Sequence, residues 1–275
     1  MAAQRKHKQQ PKQSLLITFG VLAIIAAVLL IVWVAALSDG VTIPQQGSGA
    51  ASALPINVRN AADFTQEASG RVHYSNAIAG IDVSSHQGQI DWQRVKADGI
   101  DFAILRLGFR GFGSGSLNVD DCYRENFAAA QAAGIKLGVY FFSQAISEAE
   151  AEEEADFVLS VLDGAELSYP VFFDWEEISD EGSRSAGMGT DAVSDYASTF
   201  CRRITEAGYD AGVYFNQRYG YSIMHLESLR DYTFWLAEYR SAPTFFYDVE
   251  FWQYTGTGTV DGISTDVDLD LLFTD

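Results

Sequence analysis

Residues 136–176 read "KLGVYFFSQAISEAEAEEEADFVLSVLDGAELSYPVFFDWE". Two short runs rich in Val, Phe and Tyr, 136–143 and 170–176, flank an acid-rich amphipathic stretch. Short apolar runs of β-formers predict strands. The stretch between them closes on Gly164, a helix C-cap residue. Its acids at 147–156 are expected on the exposed face of the helix start, where the dipole favours negative charge. Strand, helix and strand in that order imply parallel strands joined by a crossover.

The same alternation extends in both directions. Strands are expected at 79–84, 101–108 and 210–216, with "TFWLAEY" (233–239), "EFWQYT" (250–255) and "VDLDLLF" (267–273) closing the chain. Helical patterns lie in "DWQRVKAD", in "DCYRENFAAAQAAG" ending at Gly134, and at 190–208 ending at Gly208. Runs such as "FAILRLG" are apolar almost throughout, as in a sheet covered on both faces. The leading expectation is an α/β fold, an irregular (β/α) barrel of TIM-barrel type; an open doubly wound sheet comes second. In such a barrel the site is built at the C-terminal ends of the strands.

The chain before this domain is of a different kind. Residues 1–14 carry Arg5, Lys6, Lys8 and Lys12 and no acid, and residues 15–37 carry no charge at all. That run can cross the ~30 Å hydrocarbon layer as a helix. The basic flank then leaves 1–14 in the cytoplasm and the chain after Leu37 outside. The expectation is a single-pass cell-membrane anchor. A signal peptide cleaved after "VAA" (34–36), giving a secreted protein, is the alternative. Residues 38–77, rich in Gly, Ser, Ala, Gln and Asn, are expected to form an extracytoplasmic linker before a folded domain at 78–275. Beyond the basic tail, 14 basic residues face 37 acidic ones, a net charge of −23. Such a surface argues against nucleic acid as a partner. Cys122 and Cys201 are read as two separate thiols in preference to a bridge.

Four acids stand in or at the ends of expected strands: Asp82, Asp174, Glu176 and Asp268. Asp174 and Glu176 are two positions apart and so share one face of a strand. Like charges that close cost free energy unless one pKa rises to relieve them. Taken singly, each acid suits a helix cap or a solvated loop. Together, at the converging strand ends of a closed barrel, they can meet. Aromatic residues suited to stacking on sugars accompany them, among them Tyr140, Tyr214, Trp235 and Tyr239.

Other chemistries fit less well. His73, His86 and His225 lack the spacing of zinc ligands. "GFGSGSL" (111–117) is a flexible loop, neither a nucleophile elbow nor a phosphate cradle. "DVDLD" (266–270) lacks the glycine of a calcium loop and reads as a strand. What is left is carboxylate chemistry with no metal or other cofactor required, which points to glycoside hydrolysis.

At this point the residues resemble a family. "GIDVSSHQGQIDWQRVKADGIDFAILRLGF" (80–109) is similar to the opening of the glycoside hydrolase family 25 lysozymes, the Chalaropsis-type N-acetylmuramidases. "GIKLGVYFFSQA", "PVFFDWEE", "GVYFNQ", "FWLAEY" and "FWQYTGTGTVDGISTDVDLDLLF" come next in that family's order, so the likeness covers residues 78–275. The resemblance implies a barrel that cleaves the β-1,4 bond between N-acetylmuramic acid and N-acetylglucosamine in peptidoglycan strands. It implies Glu176 as general acid, Asp174 as electrostatic stabiliser, and Asp82 and Asp268 lining the site. Two positions depart from the family's habit: Phe141 stands where His is frequent, and Asp270 where Asn is frequent. Retention of configuration is expected, with the substrate's own acetamido group as internal nucleophile. The rival from another class is a membrane-tethered module that binds peptidoglycan without cleaving it.

Overall fold

The computed structural model describes residues 54–180, 182–186 and 190–274. The expected basic tail (1–14), apolar anchor (15–37) and first part of the linker (38–53) lie outside the described residues. Among the described residues no helix is long and apolar enough to cross a membrane.

A small antiparallel hairpin of β1 (Thr65–Gln66) and β2 (Val72–His73) comes first. It is followed by β3 (Ala77–Val83), α1 (Trp92–Ala97), β4 (Phe102–Arg110), the short β5 (Leu117–Val119) and α2 (Tyr123–Ala132). Then come β6 (Lys136–Ser143), α3 (Glu148–Leu162), β7 (Val171–Trp175), α4 (Val193–Glu206), β8 (Ala211–Asn216) and α5 (Gln217–Ser222). β9 (Thr233–Ala237), β10 (Phe251–Gly258) and β11 (Val267–Phe273) end the chain.

Eight strands close into a ring in the order β3, β4, β6, β7, β8, β9, β10, β11, and β11 pairs back onto β3. Closure excludes the open doubly wound sheet. β5 hangs on the outer end of β4 as an antiparallel appendage. Seven of the ring's strands run parallel, and β11 is antiparallel to both neighbours. The fold is therefore a mixed α/β fold around an eight-stranded closed β-barrel, which corrects the TIM-like expectation in its last quarter. Only residues 259–266 join β10 to β11. That is too short for the crossover a parallel strand needs, so the chain returns as a hairpin.

Helix C-termini follow the expected glycine punctuation. Ser147 caps α3 by accepting from the Glu150 amide at 3.3 Å. Gly134, Gly164 and Gly208 all take positive φ at helix ends. The acid run does not all face water. Glu154 is 0 % exposed, paired with Arg110 at 2.7 Å and accepting from Ser143 Oγ at 2.6 Å. The cationic partner comes from β4, which a reading of the helix alone does not reveal.

Strand residues alternate between two cores. Those facing outward, including Val139, Phe141, Phe173, Trp175, Val213 and Leu236, pack beneath the helices. Those facing inward fill the barrel: Phe102, Ile104, Phe172, Trp235 and Phe251 form a separate cluster, with Tyr140, Tyr169 and Tyr214 against it. So many rings fit because Gly80, Gly138 and Gly212 supply no side chain. A Cβ on Gly80 would sit 2.2 Å from Phe102, and one on Gly212 2.4 Å from Phe172.

Residues 54–77, the last part of the expected linker, pack on the barrel wall. Phe64 stacks on Tyr74 at 4.5 Å and meets Trp252 edge-on at 5.7 Å. The Asp248 amide donates to Pro55 O at 2.9 Å, and the Arg59 guanidinium lies 3.8 Å above the Phe273 ring. Both cysteines are free thiols: Cys122 is half-buried and Cys201 is buried.

Candidate active site

β7 carries the acid pair. Its register sets Phe142 of β6 and Tyr214 of β8 beside Asp174. Phe172 points into the barrel, so period two sends Asp174 inward and upward, with Glu176 just past the strand end on the same side. Trp175 faces outward, its indole N–H donating to Ala145 O at 3.1 Å. Glu177 is exposed, near Arg218 at 3.5 Å. The Asp174 carboxyl is buried, and its Oδ1 has no hydrogen-bond partner.

The other two acids arrive from the closing strands. Asp82 on β3 and Asp268 on β11 are direct cross-strand partners. Glu176 joins them electrostatically: burial raises its pKa, and the charge of Asp268 raises it further. Burial also pushes Asp174 well up, helped by Glu176 and opposed by Arg106. Asp268 is lifted to about 6 by burial, against the pull of a hydrogen bond from Tyr239. The four acids expected from the sequence thus gather at one end of the barrel, although the last of them lies 186 positions after the first.

A polar lattice orders this end. Gln253 Oε1 accepts from Tyr214 OH at 3.0 Å and from Tyr239 OH at 3.2 Å. Its amide group is thereby turned so that Nε2 donates to Asp82 Oδ2 at 2.7 Å. Arg106, a cation pointing inward from β4, is held by Asp120 (Nε to Oδ2, 2.8 Å) and by Ser85 Oγ (3.1 Å). Trp235 donates its indole N–H to Asp270 Oδ1 at 2.8 Å.

The aromatic residues divide by depth. Tyr239 is 60 % exposed and free to meet a ligand. Tyr140 and Tyr214 are half-buried in the wall. Trp235 is 1 % exposed, so it is floor, packed against Tyr214 at 4.7 Å and Phe172 at 5.1 Å, and offers no free face for stacking. Gln253, Arg106 and Gln144 belong to the site but did not stand out in the sequence, and Asp270, noted there only as a departure from the family's habit, belongs to it too. For Gln253, Arg106 and Asp270 the signal was period two, since each lies on the inward face of its strand; Gln144 comes just after the end of β6. Among the described residues no group of three or more His, Cys, Asp and Glu side chains is arranged to hold a metal ion. A surface hollow of about 620 Å³, lined in part by Gly164, Leu167, Tyr209 and Asp210, lies before β7 and β8 and shares no residue with the acids.

Buried carboxyls with raised pKa values, at the C-terminal mouth of a closed barrel and beside an exposed tyrosine, define a carbohydrate-processing class of site. The chain belongs to the glycosyl hydrolases family 25, whose sequence profile matches residues 81–263. Asp82, Asp174 and Glu176 fall inside that match, and Asp268 lies just beyond it. The chain is 30% identical over 208 residues to "Lysozyme M1" of Streptomyces globisporus, covering 70% of this chain and 67% of the relative. It is 27% identical over 194 residues to the "Autolytic lysozyme" of Clostridium acetobutylicum, covering 70% and 55% respectively. In structure it resembles the modular autolysin LytC from Streptococcus pneumoniae, solved in complex with a synthetic peptidoglycan ligand. The TM-score is 0.63 at 26% identity, over 76% of this chain and 51% of that one. The chain thus spans about half the length of LytC and of the Clostridium relative.

Proposed function

We propose that this protein is a peptidoglycan hydrolase, an N-acetylmuramidase that cuts the β-1,4 bond between N-acetylmuramic acid and N-acetylglucosamine. The observation that carries the reading is the Asp174–Glu176 pair on one face of β7, with Asp82 and Asp268 gathered beside it. Family membership and the lysozyme names of the relatives support it.

In this reading Glu176 reacts from its protonated form, which burial and the charge of Asp268 both favour. It gives that proton to the glycosidic oxygen as the bond to the anomeric carbon breaks. The carbonyl oxygen of the substrate's acetamido group attacks that carbon and forms an oxazolinium ion. Asp174 Oδ1, which lacks a donor, accepts the acetamido N–H and stabilises the positive charge as it develops. Water then opens the ring, with Glu176 taking a proton back, so the configuration is retained. Asp82 and Asp268 line the cleft, and Tyr239 supplies an aromatic face to the glycan. We further propose that residues 15–37 tether the domain to the membrane with the cleft outside. The uncharged run and its basic flank support that.

Digestion of purified peptidoglycan, with identification of the new reducing end, tests the activity. Reducing muramic acid is the expected product, lost in Glu176→Gln. Reducing glucosamine would mean another bond specificity, and no release would mean a binding module.

A further inference from the structure

The mouth of the barrel holds one more buried carboxyl than the proposed reaction employs. Asp270 sits two residues beyond Asp268 on β11 and is 0 % exposed. Its Oδ1 is satisfied by the Trp235 indole N–H at 2.8 Å, while its Oδ2 is buried without a donor. Its cross-strand partner on β3 is Gly80, which has no side chain, and the next inward-facing residue of β3 is Asp82. Asp82 Oδ2 is already occupied by Gln253 Nε2, and the two phenols on Gln253 Oε1 keep that amide from turning over.

We propose that Asp82 and Asp270 share one proton across their facing oxygens, so that the pair carries a single negative charge and Asp270 positions Asp82 in the cleft. Two ionised carboxylates have only acceptors to offer each other. With both charged, Asp270 Oδ2 stays bare inside the barrel and the two groups repel. One shared proton gives that oxygen its partner whichever carboxyl formally carries it.

The groups facing Asp270 agree with this. Asp268 comes from its own strand, Asp82 from β3, the Tyr239 phenol from the segment after β9, and the neutral Gln253 amide from β10, the cross-strand partner of Asp270. β9 adds the neutral Trp235 indole, and none of these groups is a cation. Burial, with the charge of Asp268, raises the Asp270 carboxyl to about 8, and burial with Asp268 and Asp270 raises Asp82. The proton is therefore held through neutral pH and lost on the alkaline side, where a second negative charge pushes the pair apart.

Asp270→Asn tests this, because the amide can accept from Trp235 and donate to Asp82 but cannot titrate. The direct readout is infrared spectroscopy at neutral pH. The difference between the wild type and Asp270→Asn should contain the C=O band of a protonated carboxyl, shifted on exchange into D2O. The difference between the wild type and Asp82→Asn should contain a matching band. This arm needs no turnover, so its result stands even if the muramidase reading fails. The second arm rests on that reading. Asp270→Asn should keep kcat/KM at mildly acidic pH and decline less steeply than the wild type above about pH 8, because the descent caused by the pair is removed while that caused by Glu176 remains. Asp270→Leu, without a donor or acceptor, should lose activity at every pH. The proposal is overturned if the Asp270→Asn difference contains only carboxylate bands. A pH profile for Asp270→Asn that superposes on the wild type would equally overturn it.

Discussion

The side chain of Gln144 holds the backbone of Glu176: its Nε2 donates to the Glu176 carbonyl at 2.8 Å and to its own neighbour Ser143 O at 2.8 Å. On the other side, Tyr219 OH accepts from the Glu177 amide at 2.7 Å. The acid therefore sits just past the end of its strand with the peptide after it clamped from both sides. Gln144 is fully buried, so its own orientation is set by packing and by Ser185 Oγ at 3.4 Å.

Gln144→Leu keeps the volume and removes the clamp. A misplaced catalytic group is costly even when it is still present, on the order of 10²-fold for a displacement of about 1 Å. We expect kcat to fall by about that factor with KM nearly unchanged, because sugar contacts lie elsewhere. The freed carbonyl should also cost about 1–3 kcal/mol of stability. Steady-state kinetics and urea unfolding measure the two effects. An equal rise in KM with kcat intact would place Gln144 in binding and not in positioning the acid.

Asp268 raises the Glu176 carboxyl second only to burial. A general acid works only below its pKa, so in the proposed mechanism loss of the Glu176 proton contributes a descent to the alkaline limb of kcat/KM. Asp268→Asn removes a negative charge that favours the protonated form. Its alkaline limb should therefore move to lower pH, and at low pH the variant should come closest to the wild type. A limb displaced upward, or left in place, would show that Glu176 does not feel Asp268.

The cluster also sets how stability varies with pH. Asp268 rises from an ordinary 3.8 to about 6, and Asp270 from 3.8 to about 8, burial leading in both. A carboxyl whose folded pKa is raised binds more protons folded than unfolded between its two pKa values, so stability falls as pH rises through that window. The melting temperature should thus decline from about pH 4 towards about pH 8. Asp270→Asn should flatten the upper half of that decline and be more stable than the wild type at about pH 8. Thermal unfolding in a buffer series reads this directly.

The strands and the acid pair were legible because their physics is local. Period two and short apolar runs mark β3, β4, β6–β11, and capping residues mark the helix ends. The direction of β11 was not legible, since it depends on the length of one loop and on which strand closes the ring. The site divides in the same way. Asp82, Asp174, Glu176 and Asp268 stood out as charges in apolar strands. Trp235 looked like a sugar platform because aromatic residues do serve as platforms, yet its depth in the barrel comes from packing against Tyr214 of β8 and Phe172 of β7. Gln253 and Gln144 carry no charge to draw the eye. Their importance comes from partners far away in sequence: Asp82 is 171 positions from Gln253, and Glu176 is 32 from Gln144.

Behind the cleft, Arg110 is the buried cation paired with Glu154, and it also reaches Glu153 Oε2 at 2.8 Å and Gly115 O at 2.9 Å. It ties β4, the loop at 111–116 and α3 together. Burial raises the Glu154 carboxyl to about 7 even though Ser143 and Arg110 stabilise its charge. Arg110→Met leaves that carboxylate unpaired in the interior, at a cost of about 3–5 kcal/mol when it is ionised. Without Arg110 the folded pKa of Glu154 rises further above its unfolded value of 4.5. The loss should then be smallest on the acid side, where Glu154 is neutral in the folded protein, and should grow through and above about pH 7. Adding Glu154→Gln to Arg110→Met should recover part of the loss at high pH and little at low pH. Urea denaturation of the single and double variants across pH measures this. A loss that does not vary with pH would mean that Arg110 stabilises by packing and loop contacts alone.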